Sequence, residues 1–167
     1  LTRICPTMDT HQALQIFHAA FLINHKGEHP APLTLVSADD IEQGLWKFNP
    51  ALERTLHLKK GYGQEHLLHY TTALKRSGKY ALTIWPYHAM LGGIGHALVS
   101  AFEEATCFPS IARLTQPNFQ IKGDNPLTEN YSVLGPEVMT GPGGDLIAEK
   151  NYAFIDTLSD YDAIVIA

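Results

Sequence analysis

Nine histidines are many for a chain of 167 residues, and three short stretches set imidazole, carboxylate and ammonium groups where they could act together. Asp9-Thr10-His11 places an acid and an imidazole two positions apart. In extended backbone, residues i and i+2 project to the same side, so both can reach one ion. His88 closes Trp85-Pro86-Tyr87-His88, and Lys122 stands in Gln120-Ile121-Lys122-Gly123. Asp9, His11 and His88 together form an N/O donor set suited to Zn²⁺ or a similar divalent ion at about 2.0–2.2 Å, with positions left for water or substrate. The same residues have plainer readings: Asp9 as a turn or cap residue, His88 as a core hydrogen-bonding imidazole, and Lys122 as a solvated surface lysine. Trp85 and Tyr87 could stack on a flat heteroaromatic molecule, with core packing the alternative for Trp85.

Each of the three groups follows a predicted strand. Strands are expected at about residues 3 to 7, 80 to 84, 118 to 121 and 163 to 167, with a short one near 33 to 36. A helix is expected from residue 64 to about 76, with Leu67, Tyr70, Thr71 and Leu74 inward, Lys75 and Arg76 at its negative end and Gly78 as its cap. A second begins after Gly92-Gly93. There Ile94, Ala97, Leu98, Ala101, Phe102 and Ala105 form one apolar stripe, and Pro109 should stop it soon after Cys107. A third covers residues 150 to 158, with Ile155 and Leu158 inward. Alternating β and α segments favour an α/β fold, a three-layer α/β/α arrangement with a mostly parallel sheet. In such a sheet the loops after the strand C-termini share one edge, which would bring the three groups into one crevice.

Residues 24 to 62 form a loop-rich excursion within that domain, broken by Pro30, Pro32 and Pro50, and residues 135 to 144 form a second surface loop. Gly92-Gly93-Ile94-Gly95 reads as a tight turn, not a phosphate cradle, because no Lys-Ser/Thr follows it. His18, His25, His29, His57, His66 and His69 read as surface or loop residues, and Cys5 and Cys107 as small buried apolar ones.

Composition narrows the function classes. With 45% hydrophobic and 17% charged residues, the chain reads as one globular domain over residues 1–167, able to bury roughly 70% of its unfolded surface. A net charge of −5 with 12 scattered Lys and Arg offers no basic stripe, so nucleic acid is excluded as a partner. No apolar run reaches the roughly 18 residues a membrane span needs. Two cysteines make no disulfide framework, which points to a reducing, cytoplasmic setting. The chain opens on Leu1 and ends on the apolar run Ala163-Ile164-Val165-Ile166-Ala167, so the domain is expected to be incomplete at both ends.

Three stretches together resemble the isochorismatase-like cysteine hydrolases, with the nicotinamidase branch nearest. They are Pro6-Thr7-Met8-Asp9-Thr10-His11, then Ile84-Trp85-Pro86-Tyr87-His88 with Leu91-Gly92-Gly93-Ile94-Gly95-His96-Ala97-Leu98, then Ile121-Lys122-Gly123 with Thr128-Glu129-Asn130-Tyr131-Ser132. The resemblance runs in order across nearly the whole chain. It implies a Rossmann-like isochorismatase hydrolase fold, a divalent metal (Zn²⁺, or else Mn²⁺ or Fe²⁺) held by Asp9, His11 and His88, and a catalytic role for Lys122. It further implies cleavage of the C–N bond of a small amide such as nicotinamide, and a homo-oligomer. In the resembled mechanism an aspartate takes the thiol proton of a cysteine while the lysine stabilises the thiolate. The thiolate attacks the amide carbonyl, ammonia leaves, and water cleaves the thioester. Of that set only Lys122 has a match. The aspartate would lie upstream of Leu1 and the cysteine shortly after the 163–167 strand. Ala89 stands where nicotinamidases carry a cysteine directly after the metal-binding histidine, which weakens the branch assignment more than the hydrolase reading. The alternatives are an isochorismatase-type hydrolase working without metal, and a catalytically inactive metal-binding or scaffold domain.

Overall fold

The computed structural model describes residues 2–166 and is a mixed α/β structure. In chain order, β1 is Thr7–Asp9, followed by a 3₁₀ turn at Ala19–Phe21, β2 at Leu22–Ile23 and β3 at Leu35–Val36. Helix α1 spans Ala38–Glu42, β4 Lys47–Phe48, α2 Leu52–Thr55, α3 Tyr62–Arg76 and β5 Leu82–Thr83. A second 3₁₀ turn at Ile94–His96 leads to α4 at Ser100–Arg113, β6 at Gln120–Lys122 and α5 at Tyr152–Ser159.

The strands pair two by two: β1 with β6 in parallel, β2 with β4 and β3 with β5 antiparallel. Pairing of the first ladder reaches beyond β1, since Asn118 N–H donates to Ile4 O at 3.1 Å and Gln120 N–H to Pro6 O at 2.8 Å. Pro6 has no N–H to give back, so the regular strand starts only at Thr7. The expected segment at 80 to 84 narrows to β5, although Ile84 continues the exchange with residues 33 and 34.

The core gathers on α3. Leu67, Tyr70, Thr71 and Leu74 face inward as the spacing predicts, joined by Gly63 and His66. Around them pack Ile16, Phe17, Phe21 and Leu22 from the N-terminal segment and Leu82 and Ile84 from the β5 region. α3 ends where the sequence indicates. Gly78 has φ +68°, its N–H donates to Lys75 O at 3.2 Å, and Lys79 N–H donates to Leu74 O at 3.0 Å. These two bonds satisfy carbonyls that the helix end leaves open.

The excursion at 24 to 62 carries more structure than its composition suggests. It includes β3, β4, α1 and α2. Ser37 Oγ accepts from Asp40 N–H while an Asp40 carboxylate oxygen accepts from Ser37 N–H, a reciprocal cap that lets the five-residue α1 form.

Helix α4 departs most from expectation. It begins at Ser100, not at residue 94, because Ala97 and Val99 are extended and the glycines before them make a turn. Pro109 lies inside it, and the helix runs on to Arg113 before Leu114 turns left-handed at φ +54°. Its polarity is also inverted. Thr106 and Ser110 are buried, whereas Phe102, Phe108 and Ile111 are exposed. The two hydroxyls donate to the carbonyls of Phe102 and Thr106, both at 2.7 Å, which makes a polar line on the inner side tolerable. In α5 the fully buried residue is Phe154, with Ile155 and Leu158 half-buried. Residues 163–166 form no strand and are exposed, and Ala167 lies outside the described residues. Among the described residues no helix is long and apolar enough to cross a membrane.

A methyl group on Gly63 would run into the ring of Phe48. Gly63→Ala is therefore expected to cost about 1–3 kcal/mol by overpacking, read as a lower urea midpoint. An unchanged midpoint would mean that the ring yields freely.

Candidate metal centre

Parallel pairing puts the C-terminal ends of β1 and β6 at one rim, with Asp9 in register against Lys122. Thr10 N–H donates to Lys122 O at 2.8 Å and extends the ladder one step toward His11. The segment after β5 is then laid beside β1 by two anchors. Trp85 N–H donates to Phe17 O at 2.8 Å, and residues 89 to 91 clasp His11, whose N–H donates to Ala89 O at 3.0 Å while its carbonyl accepts from Leu91 N–H at 2.9 Å. His88 sits on the loop between these anchors.

The outcome is a compact donor set. One ligand atom each from Asp9, His11 and His88 lies within 4.8 Å of the other two, and the two imidazole centroids are 4.6 Å apart. His11 is buried, whereas Asp9 and His88 face solvent, so the set is open on one side. His88 Nδ1 lies 2.7 Å from Pro86 O. A carbonyl can only accept, so Nδ1 carries the proton and the Nε2 lone pair is free for an ion, the orientation second-sphere carbonyls commonly impose on ligating histidines. Burial lowers the pKa of His11, and the neighbouring His88 lowers it further against the opposing pull of Asp9. Both effects favour the neutral imidazole, the form that can donate a lone pair. The donors thus fit a borderline divalent cation such as Zn²⁺, Mn²⁺ or Fe²⁺.

Gly123 makes the close approach possible. Its φ is +93°, and a Cβ there would stand 3.1 Å from His11 Nδ1. The Gln15 side-chain amide donates to Gly123 O and steadies the same turn.

Lys122 reaches the same place. Its Nζ lies 2.9 Å from Asp9 Oδ1 and donates to Tyr131 O at 3.0 Å. This is not a solvated surface lysine: the side chain is 19% exposed against 46% for Asp9. Trp85 is half-buried, and its indole N–H donates to Glu129 Oε1 at 3.0 Å and approaches Tyr131 Oη at 3.2 Å. Tyr87 is exposed, with its ring 4.4 Å from that of His18. A cleft of about 340 Å³ opens beside Asp9, walled by Met8, Ala89, Leu98, Val99 and Phe102.

Several residues near the site escape a reading from spacing. His18 and His66 are buried, not exposed; the first presents Nδ1 to Ala13 O at 3.2 Å and the second Nε2 to Leu127 O at 2.7 Å. Desolvation holds His18 down at about 4 and lowers His66 as well. His96, within a quoted motif but given no role there, sets Nε2 2.7 Å from Thr10 Oγ1. Cys107 is exposed and Cys5 half-buried; among the described residues neither makes a hydrogen bond to Asp9, Lys122 or the ligating histidines.

Glu129 is the buried acid of the neighbourhood. It is 6% exposed, and among the described residues Oε2 has no partner. Burial pushes its carboxyl up to about 7, against the lowering effect of the Trp85 and Tyr131 hydrogen bonds. The unfolded chain releases this proton near 4.5 while the folded chain keeps it to about 7, so stability is fully present at low pH and falls as pH rises through that window. Glu129→Gln should remove a decline on the order of 3 kcal/mol between pH 5 and 8, measured by urea unfolding at each pH. Identical pH dependence in both proteins would place that proton elsewhere.

Comparison of the chain with family models, with curated proteins and with solved structures finds no match.

Proposed function

We propose that this chain is a metal-containing amide hydrolase similar to the isochorismatase-like enzymes, nearest the nicotinamidases, acting on the C–N bond of a small amide. The observation that carries the reading is the convergence of Asp9, His11 and His88 within 4.8 Å from strand ends far apart in sequence, in the order of the resembled motif. A three-layer Rossmann-like arrangement around the β1–β6 pair belongs to the same reading, as do a homo-oligomeric assembly and a cytoplasmic setting for the two free cysteines.

Asp9, His11 and His88 would hold Zn²⁺, or else Mn²⁺ or Fe²⁺. When bound, the metal supplies a template and a Lewis-acid charge that positions substrate or water. The chain's own residues do the rest. Lys122 keeps an ammonium at the rim, held between Asp9 and Tyr131 O, where it stabilises a developing anion and lowers the pKa of a thiol brought against it. Trp85 and Tyr87 offer flat faces next to His88, and the cleft beside Asp9 has the volume of a small-molecule site. Its wall, with Asp9 and His96 among mostly apolar residues, suits an uncharged ring or short chain.

Among the described residues Lys122 Nζ is engaged by Asp9 and Tyr131 O and by neither Cys5 nor Cys107, which favours a second reading, a metal-binding domain without thiol chemistry of its own. Two measurements separate the readings. Zn²⁺ or Mn²⁺ should bind stoichiometrically to the wild-type protein, and Asp9→Ala or His88→Ala should lower retained metal at least tenfold; equal metal content in all three removes the ligand assignment. Ammonia release from a panel of small amides, nicotinamide included, supports the hydrolase, whereas metal retention without ammonia from any amide supports the inert domain. In the hydrolase, Lys122→Met should keep the metal while slowing ammonia release roughly a hundredfold or more. Unchanged turnover would return Lys122 to a structural role.

A further inference from the structure

We propose that Glu129 is a positioning residue of this centre, a buried acceptor that sets both the loop carrying His88 and the turn holding Lys122. The inference rests on the metal reading above and adds to it a residue that touches none of the three ligands.

The geometry runs outward from one carboxyl. Glu129 is itself fixed from behind: its N–H donates to Tyr70 Oη at 3.3 Å, and its carbonyl accepts from Glu137 N–H at 2.8 Å. Tyr70 is fully buried on α3, so this anchor belongs to the core. From that base Oε1 takes the indole N–H of Trp85 at 3.0 Å. Trp85 stands three residues before His88, at the hinge where its own N–H ties the loop to Phe17 O. The same indole N–H reaches Tyr131 Oη at 3.2 Å, and the Tyr131 carbonyl holds Lys122 Nζ at 3.0 Å. One acceptor therefore joins the two sides of the rim.

The remaining oxygen sharpens the argument. Oε2 is buried without a partner among the described residues, and such a group costs stability. Packing alone would be served better by an apolar side chain at this position. What the carboxyl provides is a directed acceptor for Trp85, and through it a set orientation of the segment from which His88 points. Outer groups of this kind are commonly worth 10- to 100-fold in metal affinity.

The test uses Co²⁺ as the probe, because its visible absorption reports ligand geometry, with Zn²⁺ affinity measured by competition against a chromophoric chelator. Glu129→Ala should bind Zn²⁺ at least tenfold more weakly and shift the Co²⁺ bands. Glu129→Gln keeps an oxygen facing the indole and should restore both toward wild type. Trp85→Phe removes the N–H but keeps a ring, so it should repeat the alanine effect. The double variant Glu129→Ala/Trp85→Phe should be no worse than either single change, since both remove one interaction. If Glu129→Ala fails to fold, Trp85→Phe against Glu129→Gln decides the matter. Wild-type affinity and spectrum in Trp85→Phe, or a Gln variant as weak as the Ala variant, overturns the positioning role while leaving the ligands intact. No cobalt absorption in the wild-type protein removes the metal reading itself, and this inference with it.

Discussion

The parallel register of β1 on β6 is the constraint on which the site depends. Because side chains alternate along a strand, a slip of one residue would turn Asp9 away from Lys122 and move His11 off the rim. The ladder is short, and its register is held from both ends. Pro6 and Ile4 accept bonds from the 118–120 segment on one side, and Thr10 donates to Lys122 O on the other. Gly123 then lets the chain turn beneath the His11 ring without a clash. Backbone pairing, not side-chain attraction, carries the carboxylate and the ammonium to one place.

Electrostatics at the rim follows from that placement. Two imidazoles 4.6 Å apart cannot both hold protons cheaply, and burial of His11 adds to the cost. Asp9 Oδ1 is paired with Lys122 Nζ across 2.9 Å, which leaves the second carboxylate oxygen beside the two imidazoles. A set of this kind is short of positive charge at its centre. Its open, solvent-facing side is where a cation or a polarised substrate group would meet least resistance.

Legibility from sequence differed among elements for physical reasons. Helix α3 was readable because its apolar period, its basic last turn and Gly78 all agree, and the structure returns the predicted inner face. Asp9, His11 and His88 could be singled out because each lies at or beyond the end of an extended segment, but what gathers them is the β1–β6 pairing and the hold of residues 89 to 91 on His11, which spacing does not reveal. The α4 stripe failed because periodicity says that a helix has two faces, not which one finds a neighbour. Two-residue ladders such as β2 with β4 leave no period to detect. His18 and His66 were misplaced because an imidazole is at home in either environment, and only the carbonyl that receives its proton decides. Glu129 lay within a quoted motif, but nothing local reveals that its acceptor meets an indole more than forty positions away.

The inverted α4 has a kinetic consequence. A helix whose inner line is two hydroxyls bonded to their own backbone has little apolar area holding it down, so its local opening should cost far less than unfolding of the Tyr70 core. Val99 and Phe102, which wall the cleft beside Asp9, therefore ride at and just inside the start of a weakly anchored helix. The size of molecule the cleft admits should therefore follow the position of this helix, whereas Met8 and Asp9 on the other wall are held by the β1–β6 ladder.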